Sequence, residues 1–167
     1  MKGFNIKNTK KRTIKLTDET LDNVDKQYRG ELAAVESYEH ALKKYAGQTE
    51  EAELRRMYRE HLDATLCLRG TLRDQGRLVP EGSGTWGALA STVEHVATIF
   101  NDELPLQILS RGESIGVDGY DALLQDNTLS DALAVEFAGL RSRCEQHVNT
   151  LVTMIARVPE VQSRPMI

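Results

Sequence analysis

Two segments of this chain, Arg29–Leu42 and Arg111–Leu124, carry one pattern twice, and both set an acid in the middle of an otherwise apolar helical stripe. Arg, Gly, Glu, Val and Tyr coincide at Arg29 and Arg111, Gly30 and Gly112, Glu31 and Glu113, Val35 and Val117, and Tyr38 and Tyr120. Glu36 and Glu39 are answered by Asp118 and Asp121, and Leu42 by Leu124. Self-similarity of this kind points to a repeated unit, here a helix hairpin. A fold built from it has to find partners for two acids on faces meant for the core.

The remaining residues suit helices. Hydrophobic content is 40%, aromatic content only 5%, and Leu, Val and Ala dominate, which favours helix over sheet. Of four prolines none lies between Thr17 and Val79, leaving room for two long helices. The first is expected over 18–46, capped by Thr17 with Asp18 and Glu19 in its first turn and stopped by Gly47. Leu21, Val24, Tyr28, Glu31, Val35, Tyr38, Leu42 and Tyr45 recur every three or four residues along it, the bundle period. The second, over 50–75, takes Thr49 as cap and ends at Gly76; its face is Leu54, Met57, His61, Ala64, Leu68 and Leu72.

A polar segment around Pro80, Gly82, Ser83 and Gly84 divides the halves, and a shorter crossover helix is expected over 86–100, with Trp86 anchoring it to the bundle. The third long helix is expected over 103–125 with Pro105 in its first turn, its face being Leu106, Leu109, Glu113, Val117, Tyr120 and Leu124. The fourth, over 129–157, opens at a capping box of Thr128 and Asp131 and buries Leu133, Phe137, Leu140, Cys144, His147, Leu151, Met154 and Val158. Residues 1–16 read as a basic flexible arm, 17–158 as one four-helix bundle, and 159–167 as a tail. Short turns make each hairpin antiparallel. The long crossover makes the first and third helices antiparallel, so that matched residues of the repeat meet.

Several function classes are disfavoured. The net charge of -4 argues against nucleic acid as a partner, since phosphate binding calls for a concentrated basic face. Lys2, Lys7, Lys10, Lys11, Arg12 and Lys15 form a local exception that an anionic surface would attract. No apolar run reaches the roughly 20 residues of a membrane span, and no signal-peptide core follows the basic start. Cys67 and Cys144 lack metal-type spacing and fit two buried thiols in a reducing cytoplasm, with a disulfide between the hairpins as the alternative. Phosphate-binding glycine loops, nucleotide fingerprints and nucleophile elbows are absent, and His40 and His95 read as surface residues.

Two hairpins, one long crossover and a Glu in the seam of the first and third helices resemble the ferritin-like superfamily. The pattern Gly82-Ser83-Gly84-Thr85-Trp86-Gly87-Ala88-Leu89, with Arg-Gly-Glu and a Tyr seven residues after that Glu, is similar to a bacterial ferritin-like family of unknown function, over about residues 32–155. The resemblance implies an all-α ferritin-like four-helix bundle and leaves the reaction open.

A di-iron or di-manganese centre would draw on Glu31, Glu36, His61, Glu113, Asp118 and His147, because two divalent ions need several carboxylates with imidazole nitrogens in a dry interior. Two points oppose it. The bridging Glu expected three residues before each His is replaced by Tyr58 and Cys144. Counting levels from the turns sets Glu36 closer to His61 than Glu31 is, and sets His147 opposite Ile108, more than a turn from Glu113. In the alternative, Glu31 and Glu113 pair with Arg55, Arg56, Arg141 or Arg143, the histidines are hydrogen-bonded core residues, and Tyr38 and Tyr120 bond the opposite acids. Gly30 and Gly112 imply a close helix contact.

Two functions follow from these residues. One is a bundle with a degenerate metal site, acting structurally, through a protein partner or as a homodimer. The other is an iron- or manganese-binding carboxylate protein with oxidoreductase or iron-handling activity.

Overall fold

The structure, a computed structural model, describes residues 15–86 and 104–157. It is all-helical, with no strand among the described residues: α1 spans Asp18–Lys44, α2 Glu51–Asp74, α3 Leu104–Leu124 and α4 Asp131–Ile155, and a 3-10 turn covers Gly84–Trp86. The expected helix over 86–100, apart from Trp86, lies outside the described residues, as do His95, Val158, the tail and all but the last two residues of the arm. Leu16, assigned to that arm, is instead buried, and its N–H donates to Gln75 Oε1 at 3.0 Å. No helix of the described residues is long and apolar enough to cross a membrane.

The helix ends follow from local chemistry. Thr17 caps α1 by accepting from the Thr20 N–H, and Gly47 and Gly76 follow α1 and α2 at φ 75° and 72°, where a side chain would be strained. The two other expected caps are corrected. Thr49 does not cap α2, whose N-cap position is Glu50 without a side-chain bond; the Glu51 carboxylate takes the Gly47 N–H instead. Ser130 rather than Thr128 caps α4, accepting from the Leu133 N–H, because it alone stands in extended backbone directly before the first turn.

α1 packs along α2, α3 along α4, and α1 against α3, while α2 and α4 meet only lightly. Tyr38 reaches Glu113 and Tyr120 reaches Glu31, so α1 and α3 run antiparallel. Gly119 leaves room for a side chain of α1, since a Cβ there would fall 2.0 Å from Gln27 Oε1, while Gly116 faces Cys144 Sγ of α4. At Gly30 a Cβ would meet nothing within 4 Å among the described residues.

The interior is divided in two. One apolar cluster, including Val24, Tyr28, Leu68, Leu72, Tyr120, Phe137 and Leu140, fills one end, and another, including Tyr45, Leu54, Met57, Leu106, Leu109, Leu151 and Met154, fills the other. Between them each helix contributes one buried acid or histidine: Glu31, His61, Glu113 and His147. Burial of these four side chains strengthens the charge interactions among them.

Candidate metal centre

The four residues of this layer are 3%, 4%, 3% and 1% exposed, in the order Glu31, His61, Glu113 and His147. His61 lies between the two glutamates, with Nδ1 2.7 Å from Glu31 Oε2 and Nε2 2.8 Å from Glu113 Oε1. The Tyr120 hydroxyl donates to Glu31 Oε1, and the Tyr38 hydroxyl to Glu113 Oε1, each at 2.6 Å. The tyrosine of each repeated segment thus serves the acid of the other, as the sequence suggests. Gln27 adds a longer bond to Glu31 at 3.5 Å and one to the Gly116 carbonyl at 3.4 Å.

His147 completes the group from the far side. Its Nε2 lies 2.6 Å from Glu60 Oε2, and Glu60 is tied through Oε1 to Arg56 at 2.8 Å. Its Nδ1 faces Glu113 Oε2 at 3.2 Å, yet among the described residues neither atom has a hydrogen-bond partner, and both are fully buried. The rings of His61 and His147 stand edge to face with centroids 5.1 Å apart. One ligand atom from each of His61, Glu113 and His147 falls within 4.8 Å of the others.

Electrostatics follow from this packing. Burial opposes a charge on His61, but the carboxylates of Glu113 and Glu31 on either side outweigh it and raise its pKa to about 10. Burial likewise raises Glu113, and the neighbouring His61 and His147 overcome it, holding that carboxyl well below the usual range. Tyr38 and Tyr120 are raised far above 10 by burial and by the acids they bond, so both remain hydroxyl donors. Burial also raises both thiols, Cys67 to about 12 with help from Glu136, and Cys144 with help from Glu31 and Glu113. Both cysteines are free and stay protonated near neutrality.

Of the six residues expected to hold metal, four converge: Glu31, His61, Glu113 and His147. Glu36 and Asp118 do not. Glu36 is half-buried and accepts from Ser83 Oγ at 3.1 Å, while Asp118 is exposed. The level counts are corrected too. Glu31, not Glu36, meets His61, the offset of about one turn being within reach of a glutamate side chain. His147 stands level with Glu113, just as Cys144 faces Gly116 and Arg141 pairs with Asp121. The reason is the 125–130 turn. Bonds from the N–H groups of Gln125 and Asp126 to Asp121 and Leu123 carry the chain on beyond the end of α3, so α4 begins further out than a symmetric turn allows.

Three of the four arginines proposed as partners for the two acids pair elsewhere: Arg55 with Glu51, Arg56 with Glu53 and Glu60, and Arg141 with Asp121 and Glu145. Tyr58, at one expected bridging-Glu position, turns outward to Glu39 at 3.0 Å. Glu60 and Gln27 were not legible as site residues. Glu60 directly precedes His61, a spacing that points the two side chains apart on their own helix, and only α4 brings His147 to it.

Compared with known proteins, the chain matches no family model, no curated protein and no solved structure.

Proposed function

We propose that this chain is a ferritin-like bundle protein that binds one divalent transition-metal ion through His61 Nε2, Glu113 and His147 Nδ1. The observation that carries the reading is the facing pair of orphaned atoms, Glu113 Oε2 and His147 Nδ1, in a fully buried layer. The two atoms face each other at 3.2 Å without a hydrogen bond among the described residues, and a cation held by both would satisfy them. Two imidazoles and a carboxylate suit iron, manganese, cobalt or zinc.

The outer partners support the same assignment. Each histidine turns one nitrogen toward Glu113 and the other onto a carboxylate, His61 onto Glu31 and His147 onto Glu60. A carboxylate behind a ligating histidine fixes its tautomer and raises its basicity. Glu31 and Glu60 therefore orient the imidazoles, and Tyr38 steadies Glu113. A bound ion would supply Lewis-acid or redox chemistry in this enclosed layer. Two ions are disfavoured, since Tyr58 and Cys144 occupy the places of the bridging carboxylates and Cys144 is held as a thiol.

The test is metal content. Protein expressed in medium supplemented with iron, manganese, cobalt or zinc and desalted gently is expected to retain about one ion per chain. Glu113→Gln and His147→Gln are expected to lose it. Fewer than about 0.2 ions per chain with every metal would end the proposal, given the single ion a filled site holds.

A second reading has its own support: both nitrogens of His61 are already satisfied by Glu31 and Glu113. Here the layer holds the four helices in register without metal, and the bundle acts through self-association or a protein partner. It requires a metal-free protein whose fold persists in Glu31→Gln and Glu113→Gln.

A further inference from the structure

A cavity of about 310 Å³ lies between α1 and α3 and reaches inward to Glu31, His61 and Glu113. Its walls are largely apolar, with Ala34, Ile108 and Leu109 toward one end, while Lys26 and Asp118 also border it. Gly30 lies on this wall, with no atom of the described residues within 4 Å of where a Cβ would stand. Neither a turn nor a close helix contact explains a glycine there, and its effect is to leave the chamber wider.

We propose that this cavity binds a small uncharged apolar molecule and presents it to the buried polar layer. The volume is about twice the ~150 Å³ of a dry apolar cavity that accepts benzene or xenon, so a one- or two-ring compound fits. The floor supplies little further polar recognition. Glu31 Oε1 is taken by Tyr120, Glu31 Oε2 by His61, and Glu113 Oε1 by His61 and Tyr38, while Glu113 Oε2 faces His147 Nδ1. A charged ligand would displace those bonds, whereas an apolar one leaves them intact. The proposal names the substrate class of the metal centre. It rests on that reading for the chemistry, and binding itself does not require the metal.

The experiment uses the full chain, stripped with chelator and separately loaded with metal, and takes benzene and indole as probes. Both probes are expected to raise Tm by about 2 °C or more in each form, and benzene is expected to give cross-peaks to the methyl groups of Ile108 and Leu109. Gly30→Leu is expected to abolish both effects while retaining metal uptake, and Gly30→Ala to weaken them. Absence of a Tm shift and of cross-peaks in the unaltered protein would overturn the proposal. So would undiminished binding in a folded Gly30→Leu protein, or cross-peaks showing that residues 87–103 of the chain itself occupy the space. Probe binding without metal uptake would remove the metal reading and leave the cavity assignment standing.

Discussion

The Tyr38 hydroxyl donates to Glu113 Oε1 at 2.6 Å, joining α1 to α3 across the middle of the bundle, and Tyr120 makes the reciprocal bond to Glu31. Bonds to a buried charged acceptor are worth about 1.5–3 kcal/mol. Tyr38→Phe and Tyr120→Phe are each expected to lower unfolding free energy by about 2 kcal/mol, read from urea midpoints at constant m. A change below about 0.5 kcal/mol would mean that these bonds do not form in solution.

Metal-free protein should show a stability maximum set by the polar layer. The folded pKa of His61, about 10, stands above its ordinary 6.5, so its contribution is complete below pH 6.5 and is lost as pH rises through 10. Glu113 is lowered from 4.5, so its contribution is present above pH 4.5 and is lost on acidification. Urea midpoints are expected to peak between these limits, and His61→Gln to flatten the alkaline side. An alkaline side unchanged by that substitution would assign the loss to other groups.

Metal uptake carries the opposite pH dependence on its alkaline side. An ion at His61 Nε2 must displace the proton shared with Glu113, so binding releases acid and affinity rises with pH between 6 and 9. Calorimetric titration with zinc or cobalt in buffers of different ionisation enthalpy measures this release. Binding without proton release would place the ion elsewhere.

Glu60→Gln tests the outer partner of His147. It keeps the volume and removes the carboxylate that lies 2.6 Å from Nε2, and the expected loss of metal affinity is about 10–100-fold with the stoichiometry unchanged. Equal affinity would show that Glu60 is merely a surface partner of Arg56.

Two pairs of substitutions test the backbone assignments. Gly30→Ala adds a Cβ in open space and is expected to stabilise by about 1 kcal/mol, whereas Gly119→Ala must displace the buried Gln27 amide and should gain nothing or lose stability. Ser130→Ala is expected to cost about 1 kcal/mol and Thr128→Ala much less, because only the Ser130 hydroxyl accepts from the first turn of α4. Thermal denaturation ranks all four; a reversed order within either pair would refute that assignment.

Much was readable in the order of residues alone. The three-and-four spacing marks four helices, Thr17, Gly47 and Gly76 mark their ends, and the recurrence of Glu31 and Tyr38 as Glu113 and Tyr120 marks the acids and their hydroxyl donors. These are local or periodic properties, since helix periodicity repeats over a few residues and caps act within one turn. The buried rows of α1 and α2 agree with the sequence pattern at most positions for this reason.

Register between helices was decided by the tertiary structure. How far α4 begins beyond α3 depends on hydrogen bonds inside the 125–130 turn, and a shift of one turn changes which side chains meet. That shift sets His147 against Glu113 rather than level with Ile108, brings Glu60 in behind it, and leaves Glu36 and Asp118 apart. Composition and spacing name residues able to bind a metal; only the packing of four helices, each supplying one of them, decides which nitrogens and oxygens share a volume small enough for an ion.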